Sequence, residues 1–130
     1  ELLGSVSKAT QDKIIVTGAV TREELAALYS RASAFCYPSL LEGFGLPVLE
    51  AMSYGTPVVT SKGRSTEEVS GFAALTVDPL SVNEIAEALK LVLTDASVAK
   101  ELGELGRLRA KLFTWEAAAA STVEVYRSLL

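Results

Sequence analysis

Glu42-Gly-Phe-Gly-Leu-Pro-Val-Leu-Glu50 places two carboxylates around a pair of glycines and a proline. Carboxylates bind diols through charge-assisted hydrogen bonds without needing a cation. Gly43 and Gly45 permit close backbone approach and unusual φ values. Pro47 suits the first turn of a helix, where a missing N–H costs nothing. The remaining amides of such a turn face outward and form an anion site. Glu50 falls inside the apolar run that follows, where a carboxylate is costly without a partner. These residue types in this order suit a phosphorylated, hydroxyl-rich ligand.

The elements that must position this segment read as alternating short strands and helices. Residues 1–9 read as the tail of a helix and Lys13–Thr17 as a strand ending at Gly18. Thr21 and Glu24 form a capping-box pattern that opens a helix with Leu25, Leu28, Tyr29 and Ala32 on its apolar face. Ala34–Tyr37 is a second strand, stopped by Pro38, and the motif helix runs from about Pro47 to Tyr54, with Gly55 as its cap. Val58–Thr60 and Ala73–Val77 complete a set of four strands. Capping boxes at Ser65/Glu68 and Ser81/Glu84 predict helices after the last two strands. The second of these shows Val82, Ile85, Ala86, Leu89, Val92 and Leu93 as one stripe. Helices over 97–111 and 115–130 follow, the last capped by Thr114 and anchored by Trp115, Val123 and Tyr126.

Strands separated by helices imply parallel βαβ units, with an apolar sheet covered on both faces. The fold class is therefore α/β, a Rossmann-like parallel sheet flanked by helices, as a single domain over 1–130. Such sheets bind ligands at the carboxyl ends of their strands. Gly18–Val20, Pro38–Leu46 and Ser61–Arg64 all follow strand ends and are expected to gather along one edge.

Composition narrows the chemistry. The chain has 130 residues, about half of them apolar, which is enough for one domain with a core. Twelve basic against sixteen acidic residues give a net charge of −4, which argues against a nucleic-acid footprint. There is no histidine, so this chain supplies no His base and no His-ligated zinc. The single cysteine, Cys36, reads as a small buried hydrophobe, consistent with a reducing, cytoplasmic setting. No apolar run approaches the roughly 20 residues of a membrane span, and no signal-peptide pattern is present. Glu1 in place of an initiating Met reads as a fragment.

The run from Tyr37 to Thr60 around the motif resembles the signature of family 4 glycosyltransferases, retaining nucleotide-sugar enzymes of the GT-B fold. The likeness extends to Val16–Val20, Leu28-Tyr29, Glu68-Val69, Ala73–Leu75, Val77–Pro79 and Phe113–Glu116, nearly the whole chain. It implies one half of a GT-B fold, the C-terminal donor-binding domain. The N-terminal acceptor domain, and the first part of this domain with its phosphate-binding Arg and Lys, would precede residue 1. The donor implied is a UDP-, GDP- or ADP-sugar, with no cofactor. Glu42 then contacts the donor sugar as the catalytic-centre carboxylate and Glu50 the ribose hydroxyls. Amides in the segment from Gly43 through Phe44, Gly45 and Leu46 approach sugar and diphosphate, and Val20 lies against the nucleobase. Same-face attack would make Glu42 an orienting and electrostatic group rather than a nucleophile. Charge repulsion from the diphosphate directs Glu42 toward sugar hydroxyls or the anomeric carbon. No Asp-x-Asp motif occurs, which favours a metal-independent reaction.

Other readings stand beside these. Glu42 could be an exposed loop acid, Glu50 a helix residue paired with a Lys or Arg, and the glycines a tight turn. Phe44 reads more readily as packing than as a stacking platform, and Lys62, Arg64, Asp95, Glu101 and Glu104 as solvated charges. Gly63–Thr66 departs from the family in lacking the Pro that commonly precedes the Glu of the short helix. Rival functions are a GT-B epimerase, a flavodoxin- or receiver-like signalling module, and a non-catalytic nucleotide-sugar-binding or partner subunit. Membrane association of the parent protein stays open.

Overall fold

A computed structural model describes residues 2–129, with side chains from Gly4 onward. A 3-10 turn over Leu2–Ser5 and a short helix α1 (Lys8–Gln11) precede α2 (Arg22–Arg31). Then come β1 (Phe35–Tyr37), α3 (Leu46–Ser53), β2 (Val58–Ser61), α4 (Ser65–Ser70), β3 (Ala74–Val77), α5 (Val82–Thr94), α6 (Ala96–Ala110) and α7 (Trp115–Ser128). The strands form a parallel sheet in the order β1-β2-β3, with Tyr37 opposite Thr60 and Ser61 opposite Val77 at its carboxyl edge.

Side-chain alternation divides the core between the two sheet faces. Val58, Phe35 and Ala74 join Tyr29, Val48, Met52 and Val69 from α2, α3 and α4. Val59, Cys36, Leu75 and Val77 join Ile85, Leu89, Val92 and Leu102 from α5 and α6. All four residues of the central strand β2 are buried, the pattern of a strand covered on both sides. Cys36 is half-buried, and burial pushes its thiol above the usual range.

Where the sequence carries a strong local signal, the elements follow it. Thr21 accepts from the Glu24 amide while Glu24 accepts from the Thr21 amide, a complete capping box. Thr114 caps α7 by accepting from the Ala117 amide. The other two boxes differ. Ser81 does accept from the Glu84 amide, but the Glu84 carboxylate reaches the Asp78 amide at 2.8 Å and Lys62 at 3.1 Å instead. At α4 the cap is Arg64 and makes no side-chain bond; Ser65 donates to the Glu42 carbonyl at 2.9 Å. Asp95 is no mere solvated charge, since it caps α6 by accepting from the Ser97 and Val98 amides.

Three further expectations are corrected. Lys13–Thr17 pairs with no strand, and Ile15 and Val16 are 86% and 75% exposed. An apolar run becomes a strand only when a ladder satisfies its backbone, and among the described residues none does. On α5 the buried line is Ile85, Ala88, Leu89 and Val92, while Val82, Ala86 and Leu93 are exposed, because helical rotation carries them off the sheet-facing side. Trp115, Val123 and Tyr126 anchor nothing: all three are exposed, and α7 has no buried residue.

Helix α6 ties the structure together near the end of α3. A Cβ on Gly103 would fall 2.5 Å from the Gly55 carbonyl oxygen, so the helices meet backbone to backbone. Arg107 donates to the Tyr54 carbonyl at 2.9 Å and Arg109 to the Glu68 and Val69 carbonyls at 2.7 and 2.8 Å. These two guanidinium groups supply donors for the unpaired carbonyls at the ends of α3 and α4.

Candidate donor site at the carboxyl edge of the sheet

The motif loop leaves β1 at Tyr37 and is held by hydroxyls from its neighbours. Thr60 donates to the Tyr37 carbonyl at 3.0 Å, and Ser61 donates to the Ser39 carbonyl at 2.6 Å. Ser65 takes the Glu42 carbonyl, as above, and Thr66 donates back to the Ser61 carbonyl at 3.3 Å. The Pro38–Leu46 and Ser61–Arg64 loops therefore meet at one edge, as the topology requires.

Gly45 is the N-cap of α3, with φ 104° and ψ 40°, a left-handed conformation that disfavours any side chain. Its Cβ position would also lie 3.0 Å from Thr66 Cγ2. Among the described residues, the amides of Phe44, Gly45 and Leu46 donate no hydrogen bond, so these helix-start donors are unpaired, with Gly45 itself buried and Leu46 exposed. Pro47 follows in the first turn, where its ring fits.

Glu42 is half-buried. Its Oε1 accepts from the Tyr37 hydroxyl and, at 3.3 Å, from Ser39. Glu50 is exposed and its Oε2 accepts from the Tyr29 hydroxyl at 3.3 Å. The expectation of a carboxylate stranded among apolar side chains is thus corrected. Val48, Leu49, Ala51 and Met52 take the buried face of α3, and Glu50 lies on the other side. The ionisations of both tyrosines respond. Burial, then the charge and hydrogen bond of Glu50, pushes Tyr29 up to about 12. The hydrogen bond to Glu42 is the main cause that raises Tyr37.

Glu50 stands between two hollows. One, of about 480 Å³, lies between α3 and the start of α7 and is lined by Leu46, Leu49, Phe113 and Trp115. The other, of about 390 Å³, lies toward α2 and includes Arg22, Leu25, Tyr29 and Tyr54. Phe44 packs edge-on against Phe113, with ring centroids 5.9 Å apart, and Arg109 sits 4.9 Å above that second ring. Phe44 is accordingly a packing residue with 45% of its surface exposed.

Val20 lines a different depression, with Thr17, Glu24, Leu28 and Arg31. Lys62 is engaged by Glu84, whereas Arg64 is exposed and makes no ion pair among the described residues. No group of three or more Cys, Asp or Glu side chains that could hold a metal occurs among the described residues. Tyr29 and Tyr37 are carboxylate partners that the motif does not announce; the signal for them is a tyrosine on each of α2 and β1, flanking the motif.

Residues 6–109 match the model of a family described as "Glycosyl transferases group 1". The chain belongs to this family. It is 40% identical over 123 residues to the MMP alpha-(1->4)-mannosyltransferase of Mycolicibacterium hassiacum, covering 92% of this chain and 30% of that protein. It is 44% identical over 112 residues to the O-antigen chain mannosyltransferase B of Escherichia coli, covering 86% and 29%. A sucrose-phosphate synthase from Thermosynechococcus elongatus superposes with a TM-score of 0.79 at 37% identity, over 91% of this chain and 30% of that one. The group 1 likeness and the parallel sheet between helices bear out the expected fold class. The chain spans under a third of the length of these relatives. Among the described residues, no helix is long and apolar enough to cross a membrane.

Proposed function

We propose that the chain is the donor-binding domain of a retaining glycosyltransferase. The whole protein would move a sugar from a nucleoside diphosphate to an acceptor hydroxyl held by a domain outside these residues. The observation that carries this reading is the set of unpaired amides at the N-terminus of α3 between two motif carboxylates, at the carboxyl edge of a parallel sheet. The mannosyltransferase names of the relatives agree with sugar transfer.

In this reading the amides of Gly45 and Leu46 receive the diphosphate, Glu50 accepts from the ribose diol, and Glu42 faces the sugar. The reaction builds negative charge on the leaving diphosphate. Preset amide donors stabilise that charge without reorganising. Arg64 makes no ion pair among the described residues and is the cation this reading assigns to the edge, with the rest of the positive charge to be supplied from outside the chain. A negative Glu42 beside the diphosphate would repel it, so Glu42 points at sugar hydroxyls or at the positive charge that develops on the anomeric carbon.

The test is titration of the full-length protein with UDP-, GDP- and ADP-sugars, followed by turnover. Glu50→Ala should weaken donor binding, and Glu42→Ala should mainly lower the rate. Unchanged affinity and unchanged rate in both variants would overturn the site. Binding with no turnover on any donor would leave a non-catalytic subunit. These 130 residues alone should show no transferase activity.

A further inference from the structure

We propose that Tyr29 and Tyr37 are positioning residues that each hold one oxygen of a motif glutamate and leave its other oxygen free for a ligand hydroxyl. This rests on the reading of Glu42 and Glu50 as donor contacts. At both sites a tyrosine hydroxyl donates to one carboxylate oxygen. Tyr29 takes Glu50 Oε2, and Tyr37, with Ser39, takes Glu42 Oε1. Among the described residues, Glu50 Oε1 and Glu42 Oε2 accept nothing.

The tyrosines can act as fixed posts because their rings are locked in one aromatic row. Tyr54 stacks on Tyr29 at 6.1 Å, Tyr29 meets Phe35 edge-on at 5.3 Å, and Phe35 stacks on Tyr37 at 5.7 Å. The Tyr29 backbone is tied as well, since Thr56 donates to its carbonyl at 2.6 Å. One rigid row therefore sets both carboxylates, and with them the distance a ligand must span. A free glutamate side chain samples several rotamers, and ordering it on binding opposes affinity. A hydroxyl held at one oxygen removes part of that cost before the ligand arrives.

Phenylalanine at either position keeps the ring and deletes only the hydroxyl. The experiment is a double-mutant cycle in the full-length protein, read by calorimetric titration with UDP, GDP and ADP. Tyr29→Phe should weaken the nucleotide that binds by about tenfold, the worth of a hydrogen bond to a charged group. In a Glu50→Ala background the same change should have no effect, whereas a merely structural role would cost as much there as in the parent. The matching pair, Tyr37→Phe with and without Glu42→Ala, should show the same pattern in the rate of hydrolysis of GDP-mannose or UDP-glucose: a loss in the parent and none beside Glu42→Ala, with donor KM held within about twofold. Weakened binding in Glu50→Ala beside unchanged binding in Tyr29→Phe overturns the positioning role alone. Unchanged binding in Glu50→Ala overturns the donor reading and this role together.

Discussion

Gly45→Ala tests whether the motif glycines are a backbone requirement or a loose turn. At φ 104° a side chain meets the left-handed penalty, about 1–2 kcal/mol. The new methyl would also stand 3.0 Å from Thr66 Cγ2. Thr66 is fully buried and its hydroxyl is committed to the Ser61 carbonyl, so it yields poorly; overpacking of this kind costs about 1 kcal/mol or more. Alanine returns about 0.4–1 kcal/mol by restricting the unfolded chain. The net expectation is a loss of about 2 kcal/mol, or a fall in Tm of roughly 6–10 °C for a domain of this size. Gly43→Ala is the internal control, because Gly43 has no positive φ and its Cβ would meet nothing within 4 Å. It should lie within about 0.5 kcal/mol of the parent. Urea unfolding of the three proteins side by side decides the matter. Equal stabilities for Gly45→Ala and Gly43→Ala would refute the strain argument.

Gly103→Ala sets helix propensity, about 1 kcal/mol in favour of alanine, against a Cβ placed 2.5 Å from the Gly55 carbonyl. The contact wins, since the obstacle is backbone, and urea unfolding should show a net loss of about 1–2 kcal/mol. Arg109→Ala removes both carbonyl bonds at the end of α4 and the contact over Phe113, and should cost about 1–3 kcal/mol by the same measurement, while Arg64→Ala stays within about 0.5. Tyr29 should titrate near 12 by NMR of ¹³C-labelled tyrosine, and Glu50→Ala should lower that value but not restore the ordinary one, because burial is the largest cause. The folded form holds this proton more tightly than the unfolded form, so the Tyr29 contribution to stability is intact below the ordinary tyrosine value of about 10. It is lost as pH rises from there toward about 12. The Asp78 amide, and then Lys62, hold the Glu84 carboxyl below its usual range, so its contribution is present above the unfolded carboxylate value and fades as pH falls through the folded one; Glu84→Gln should flatten that acid limb of a Tm-against-pH series.

Much of the frame is legible where local chemistry decides it. The capping box at Thr21, the Thr114 cap and the glycine at the end of α3 each depend on residues within one turn, and each element formed where those residues predict. Lys13–Thr17 fails for the opposite reason: a strand needs a neighbour, and apolar composition cannot supply one. The outward Val82 and Leu93 reflect a stripe wider than the sheet face it covers. Within the site, the motif announces Glu42, Glu50 and the helix start, because spacing along one loop and one helix fixes them. The partners Arg107 and Arg109 come from a distant helix, and nothing in their own neighbourhood marks them.

The hydroxyl ties around the motif loop have a consequence for how such a site can change. Thr60, Ser61 and Ser65 all bond to main-chain carbonyls, those of Tyr37, Ser39 and Glu42. A carbonyl is the same acceptor whatever side chain its residue bears. The path of the loop is therefore written in β2 and α4, and the exposed side chains of Leu40 and Leu41 are released from holding it. Substitutions there can alter what the loop presents at this edge while the two carboxylates keep their places, so the surface of the site can change without the scaffold loosening.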